Sequence, residues 1–109
     1  MNIGGISFHT TNWEIVETTR HEGETGYALW KTIKIGTIRV RQVEYSVNYM
    51  ADHWCSKGHI LLCIEGEMTT ELHDGRKFLL KAGTSYQLGD NMEPHRSFTK
   101  KSCTLFIVD

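Results

Sequence analysis

The amino-acid sequence predicts an all-β domain, built as an antiparallel sandwich or barrel. Short runs rich in β-branched and aromatic residues recur along the chain, turn residues separate them at even intervals, and helical periodicity is hard to find. Seven or more such strands within about eighty residues fit that class and few others.

The elements follow in order. Residues 1–25 are expected to form an irregular arm packed on the barrel, and residues 26–109 the barrel domain itself. Strands are expected over 28–35, 37–46, 59–64, 68–72, 77–80, 85–88 and 104–108, where side chains suit a pleated, half-buried surface. Gly36, Glu65-Gly66, Ala82-Gly83 and Gly89-Asp90 mark turns between them. Asp74-Gly75 is the clearest hairpin signal and is expected to supply the positive φ angles of a two-residue turn.

Alternation assigns faces. If His59 points inward, so do Leu61 and Cys63, with Ile60, Leu62 and Ile64 opposite. Both sets are apolar, so this strand is expected to be central and covered on both sides. After Pro94, residues His95, Ser97 and Thr99 should share one face, with Arg96 and Phe98 on the other.

Bulk properties narrow the function. The 109 residues carry a net charge of −1 and are 39% hydrophobic, which suits one soluble domain. Basic residues are scattered among acids, which argues against a nucleic-acid partner. The run His59-Ile60-Leu61-Leu62-Cys63-Ile64 is too short to span a bilayer, and the N-terminal residues lack a signal-peptide pattern, so no membrane partner is expected. Three cysteines with no export signal read as reduced cytoplasmic thiols.

Chemistry concentrates in four residues. His53, Cys55 and His59 lie at spacings of two and four, and His95 follows the only proline. Imidazole and thiolate bind late first-row metals, and an i, i+2 pair in a strand aims both donors to one side. His9, His21 and His73 lack such a frame and are expected to be structural, Cys63 a small core hydrophobe, and Cys103 a strand or loop thiol.

The frame His53-x-Cys55, three residues, His59, six residues, Gly66, followed by Pro94-His95, resembles the two motifs of the cupins. Cys55 stands where that pattern usually has its second His, and His59 where it usually has Glu. Asp52-His53-Trp54-Cys55 further resembles the cupin subgroup labelled by an Asp-His-Cys-Trp motif, as do the segments 43–46, 57–60, 64–67 and 105–109. The resemblance implies a jelly-roll β-barrel whose two motifs converge in the barrel mouth, and a homodimer. It implies no particular reaction.

Carried over by position, His53, Cys55, His59 and His95 would form one metal site. Such donors suit Zn²⁺ or Fe²⁺, with Ni or Cu tolerated. An alternative uses the three histidines alone and leaves Cys55 free. Either arrangement would serve a dioxygenase, isomerase or hydrolase acting on a small polar molecule. Two other accounts compete: a non-catalytic module that binds or senses a metal or small ligand, and a structural metal that staples the fold. Arg39 and Arg41 alternate on one face with Val43 and Tyr45; a solvated outer face is the expectation, and an interior face would let them clamp a substrate carboxylate. Tyr49, Trp54 and Tyr86 are candidate aromatic walls of a substrate pocket. Asp52 is adjacent to His53 and, in a regular strand, would point away from it.

Overall fold

A computed structural model describes residues 2–109. Among them, a 3-10 turn (Trp13–Ile15) precedes nine strands: β1 (Thr18–Glu22), β2 (Tyr27–Ile35), β3 (Ile38–Tyr45), β4 (His59–Glu65), β5 (Glu67–Leu72), β6 (Lys77–Lys81), β7 (Ser85–Leu88), β8 (His95–Phe98) and β9 (Cys103–Val108). Six strands form one sheet in the order β1-β2-β3-β9-β4-β7, and three form a second in the order β6-β5-β8. All pairings are antiparallel, as in a jelly roll. No helix among the described residues is long and apolar enough to cross a membrane.

The core lies between the sheets. Val43, Leu61, Leu105 and Ile107 from the larger sheet meet Met68 and Leu80 from the smaller one. Leu61, Leu105 and Met68 are almost fully enclosed, each stabilising the fold by roughly 1.5–3 kcal/mol relative to exposure. Period-two alternation holds in β4, where His59, Leu61 and Cys63 are inward, and in β8, where His95 and Ser97 are inward.

Four expectations are corrected. Part of the expected irregular arm is regular, because Thr18–Glu22 pairs with Tyr27–Lys31 as an edge strand. Its side chains are mostly solvated, so it carries no hydrophobic alternation to reveal it. β4 is central, yet its outer face is uncovered within the chain: Ile60, Leu62 and Ile64 are 40–45% exposed. The Asp74-Gly75 connection is a three-residue loop, closed by Leu72 N–H donating to Arg76 O at 2.8 Å. Only Gly75 has positive φ there, as in a hairpin with a glycine bulge. Finally, the Arg41 face of β3 is interior rather than solvated. Arg41, Val43 and Tyr45 are all buried, while Glu44 on the other face is exposed.

Candidate metal centre

The segment between β3 and β4 is irregular, but three backbone hydrogen bonds tie it to β8, one of them from Ala51 N–H to Ser97 O at 3.0 Å. Cys55 N–H donates to His95 O at 2.7 Å, and His95 N–H donates to Cys55 O at 2.9 Å. Residues facing each other across an antiparallel bridge project their side chains to the same side. Cys55 and His95 therefore enter the space between the sheets together. His59, the first residue of β4, reaches the same space from the larger sheet. Gly58 permits this: a Cβ there would lie 2.3 Å from Leu88 O, and its N–H donates to Asp90 Oδ1 at 2.7 Å.

One donor atom from each of Cys55, His59 and His95 lies within 4.8 Å of the other two. Cys55 Sγ is 3.8 Å from His59 Nε2, and the imidazoles of His59 and His95 meet edge to face at 5.2 Å. His53 is not part of this group. Its side chain is 74% exposed, and its Nδ1 meets Asp52 Oδ1 at 2.6 Å. The expected His53/Cys55 alternation fails because residues 51–58 do not form a strand apart from the bridge at Cys55. For the same reason Asp52 can meet the neighbouring His53.

Each inward imidazole has its far nitrogen fixed. His59 Nδ1–H donates to Asp109 Oδ2 at 2.7 Å. His95 Nδ1–H donates to Glu93 O at 3.0 Å, an atom that can only accept. Both protons are thereby placed on Nδ1, which leaves Nε2 with a free lone pair. His95 Nε2 is buried with no hydrogen-bond partner. A buried orphan Nε2 on His95, beside a sulfur and a second Nε2 that touches only that sulfur, fits a metal ion well.

Charge supports the same arrangement. The adjoining imidazoles of His59 and then His95, which stabilise the anion when Nε2 is protonated, bring the Cys55 thiol down to about 5, so it is a thiolate at neutral pH. Burial opposes protonation of His95, but the Cys55 sulfur and the Glu93 carbonyl outweigh it and raise its pKa. Asp109 is fully enclosed and accepts from three side chains: Arg39 at 2.9 and 3.0 Å, Arg41 at 2.9 Å, and His59. Burial alone would raise its pKa; Arg39, Arg41 and His59 hold it at about 2.

Sequence reasoning gave Asp109 no role. The signal was present: Cys103, Leu105 and Ile107 are buried on alternate positions of β9, and Asp109 continues that inward series. An acid at the end of an apolar face is a buried carboxylate in need of partners.

A cavity of about 230 Å³ opens beside the three donors. Arg41, Tyr49 and Tyr86, the candidate substrate residues, all line it, together with Trp30, Arg39 and Arg96. Trp54 instead packs between Arg96, at 4.5 Å, and His73, at 5.0 Å. His21 stacks on Trp30 at 3.8 Å, and His9 is exposed.

Solved structures share this fold. Fe(II) HppE in complex with substrate superposes with a TM-score of 0.76, at 15% identity over 94% of this chain and 60% of that one. Ectoine synthase from P. lautus gives 0.71, at 17% identity over 93% and 76% of the respective chains. A cupin-2 domain containing protein from Shewanella frigidimarina gives 0.57, at 16% identity over 71% and 74%. The fold is that of a cupin. Within this fold Cys55, His59 and His95 come together. No family model matches the chain, and no curated protein matches it either.

Proposed function

We propose that this cupin holds one divalent transition ion between Cys55, His59 and His95, and acts as an enzyme on a small polar molecule in the adjoining cavity. The observation that carries the reading is the pair of pinned imidazoles, each with Nδ1 committed elsewhere, grouped with the Cys55 sulfur. Zn²⁺ and Fe²⁺ suit two imidazoles and one thiolate best, with Ni or Cu tolerated, and the Fe(II) form of HppE favours iron among them. Such an ion supplies Lewis-acid polarisation of a substrate oxygen and, if it is iron, access to O₂ chemistry.

The chain's own side chains would do the rest. Asp109 holds His59 in one tautomer and orientation. Tyr49 and Tyr86 wall the cavity, and burial raises both phenol pKa values, so each stays a neutral donor. The decisive experiment is elemental analysis of the purified protein and of His95→Ala. Near one equivalent of metal in the first and loss in a folded variant are expected. No metal above background after loading would overturn the reading. Metal without turnover of any small-molecule panel would leave the non-catalytic binding module in its place.

A second reading is favoured by one geometric fact: Cys55 Sγ, His59 Nε2 and Asp109 form a nucleophile, base and orienting carboxylate in series. It requires activity that survives chelation, whereas the metal reading requires its loss. The chain is also proposed to form a homodimer, with Ile60, Leu62 and Ile64 covered by a second copy. Light scattering that returns the mass of one chain would refute this. Three free thiols suit a cytoplasmic setting.

A further inference from the structure

The cavity beside Cys55, His59 and His95 gathers cationic side chains. Arg39, Arg41 and Arg96 line it, and no Asp or Glu does. Arg96 is paired with Glu71 at 3.0 Å. Arg39 and Arg41 share the side-chain carboxylate of Asp109, and the negative charge in the lining itself is the Cys55 thiolate. That carboxylate is fully enclosed and already accepts from three side chains, so it cannot offset more. A divalent ion on the Cys55 thiolate would turn that negative charge into a net positive one and leave the cavity cationic. Buried charge of one sign is costly unless something of the opposite sign enters with it.

Arg41 is where that counter-charge is missing. Its side chain is only 6% exposed, and Trp30 covers the guanidinium at 4.4 Å, which excludes water from that face. Asp109 takes one Nη2 hydrogen, while the Nε–H is buried with no acceptor. An unsatisfied, desolvated N–H on a guanidinium is a strong donor for a planar oxyanion. The same Asp109 oxygen that holds Arg41 also holds His59, so the unsatisfied donor and the ligand set are fixed in one network.

We infer that the small molecule taken by this cavity is an organic carboxylate, received by Arg41 next to Cys55, His59 and His95. The inference rests on the reading of the cavity as a substrate site. The unpartnered Arg41 Nε–H is independent of any metal.

Calorimetry tests it with two pairs of near-isosteric probes, glycolate against glycolamide and acetate against acetamide, on zinc-loaded and on chelator-stripped protein. The carboxylates bind the wild-type protein about tenfold or more tighter than their amides, in both forms. Arg41→Gln removes most of that preference, whereas Arg20→Gln, at an exposed residue paired with Glu22, keeps it. Equal binding of acid and amide by the wild-type protein, no binding of either, or a preference unchanged in a folded Arg41→Gln would overturn the inference. Inorganic phosphate binding in place of glycolate would overturn the carboxylate assignment. Metal content measured on the same samples separates the two claims. A protein that takes no zinc but prefers the acids sinks the metal reading alone, and a zinc protein with no preference sinks this one alone.

Discussion

His59 donates its Nδ1 proton to Asp109 Oδ2 at 2.7 Å, and the same oxygen accepts from Arg41 Nη2 at 2.9 Å. One carboxylate therefore sets the orientation of a candidate ligand and of the cavity's buried cation together. Asp109→Asn keeps the shape and removes the charge that pairs with Arg39 and Arg41. Breaking a buried pair from one side costs about 3–5 kcal/mol. Urea unfolding should report a loss of that order, and metal affinity should fall about 10–100-fold as His59 loses its anchor.

Acid should act through the same residue. The folded pKa of Asp109, about 2, lies below its unfolded value near 4. Its stabilising contribution is present above about pH 4 and is lost as pH falls towards about 2. For this group it amounts to roughly 2 kcal/mol. The unfolding midpoint should drop across that window in the native chain and drop less in Asp109→Asn.

His53 and His95 should behave oppositely. His53→Ala removes an exposed side chain outside the donor cluster and should leave metal stoichiometry unchanged and affinity within about threefold. His95→Ala removes a buried donor and should weaken metal binding more than about 100-fold. Competition with a chromophoric chelator measures both.

Metal-free protein should show one reactive thiol. Cys55, at about 5, is largely thiolate from pH 6 upward, so its alkylation rate should be flat above pH 6 and fall below pH 5. Burial raises Cys63 and pushes Cys103 up to about 12, so neither should compete at neutral pH. Metal loading should protect Cys55. Mass spectrometry after brief iodoacetamide treatment reads all three sites.

Gly58→Ala tests the support of His59. The added Cβ would meet Leu88 O at 2.3 Å and the Gly89 carbonyl carbon at 2.6 Å, both backbone atoms that cannot swing aside. A loss of about 1–3 kcal/mol is expected in thermal or urea unfolding, together with weaker metal binding.

The fold class was legible because β2, β3, β4 and β9 are runs rich in β-branched and aromatic residues set between turn signals at even intervals, a pattern that survives without knowing any partner. β1 was not, since an edge strand wet on both faces has no such period. Within the site, Cys55, His59 and His95 were readable as donor types in a familiar frame. The exclusion of His53 was not, because it depends on an irregular segment whose path is set by pairing with β8, forty residues away in the chain. Asp109 and Arg41 were half legible: alternation puts both on inward faces, but only the strand order brings β3, β9 and β4 side by side.

The bridge between Cys55 and His95 gives the loop before β4 a rigidity of register that surface connections rarely have. Adding or removing one residue between Ala51 and Cys55 would preserve the composition yet turn the sulfur towards solvent, since neighbouring positions on an extended backbone face opposite ways. Homologous chains that keep this donor set should therefore vary in the identity of residues 52–54 far more readily than in their number.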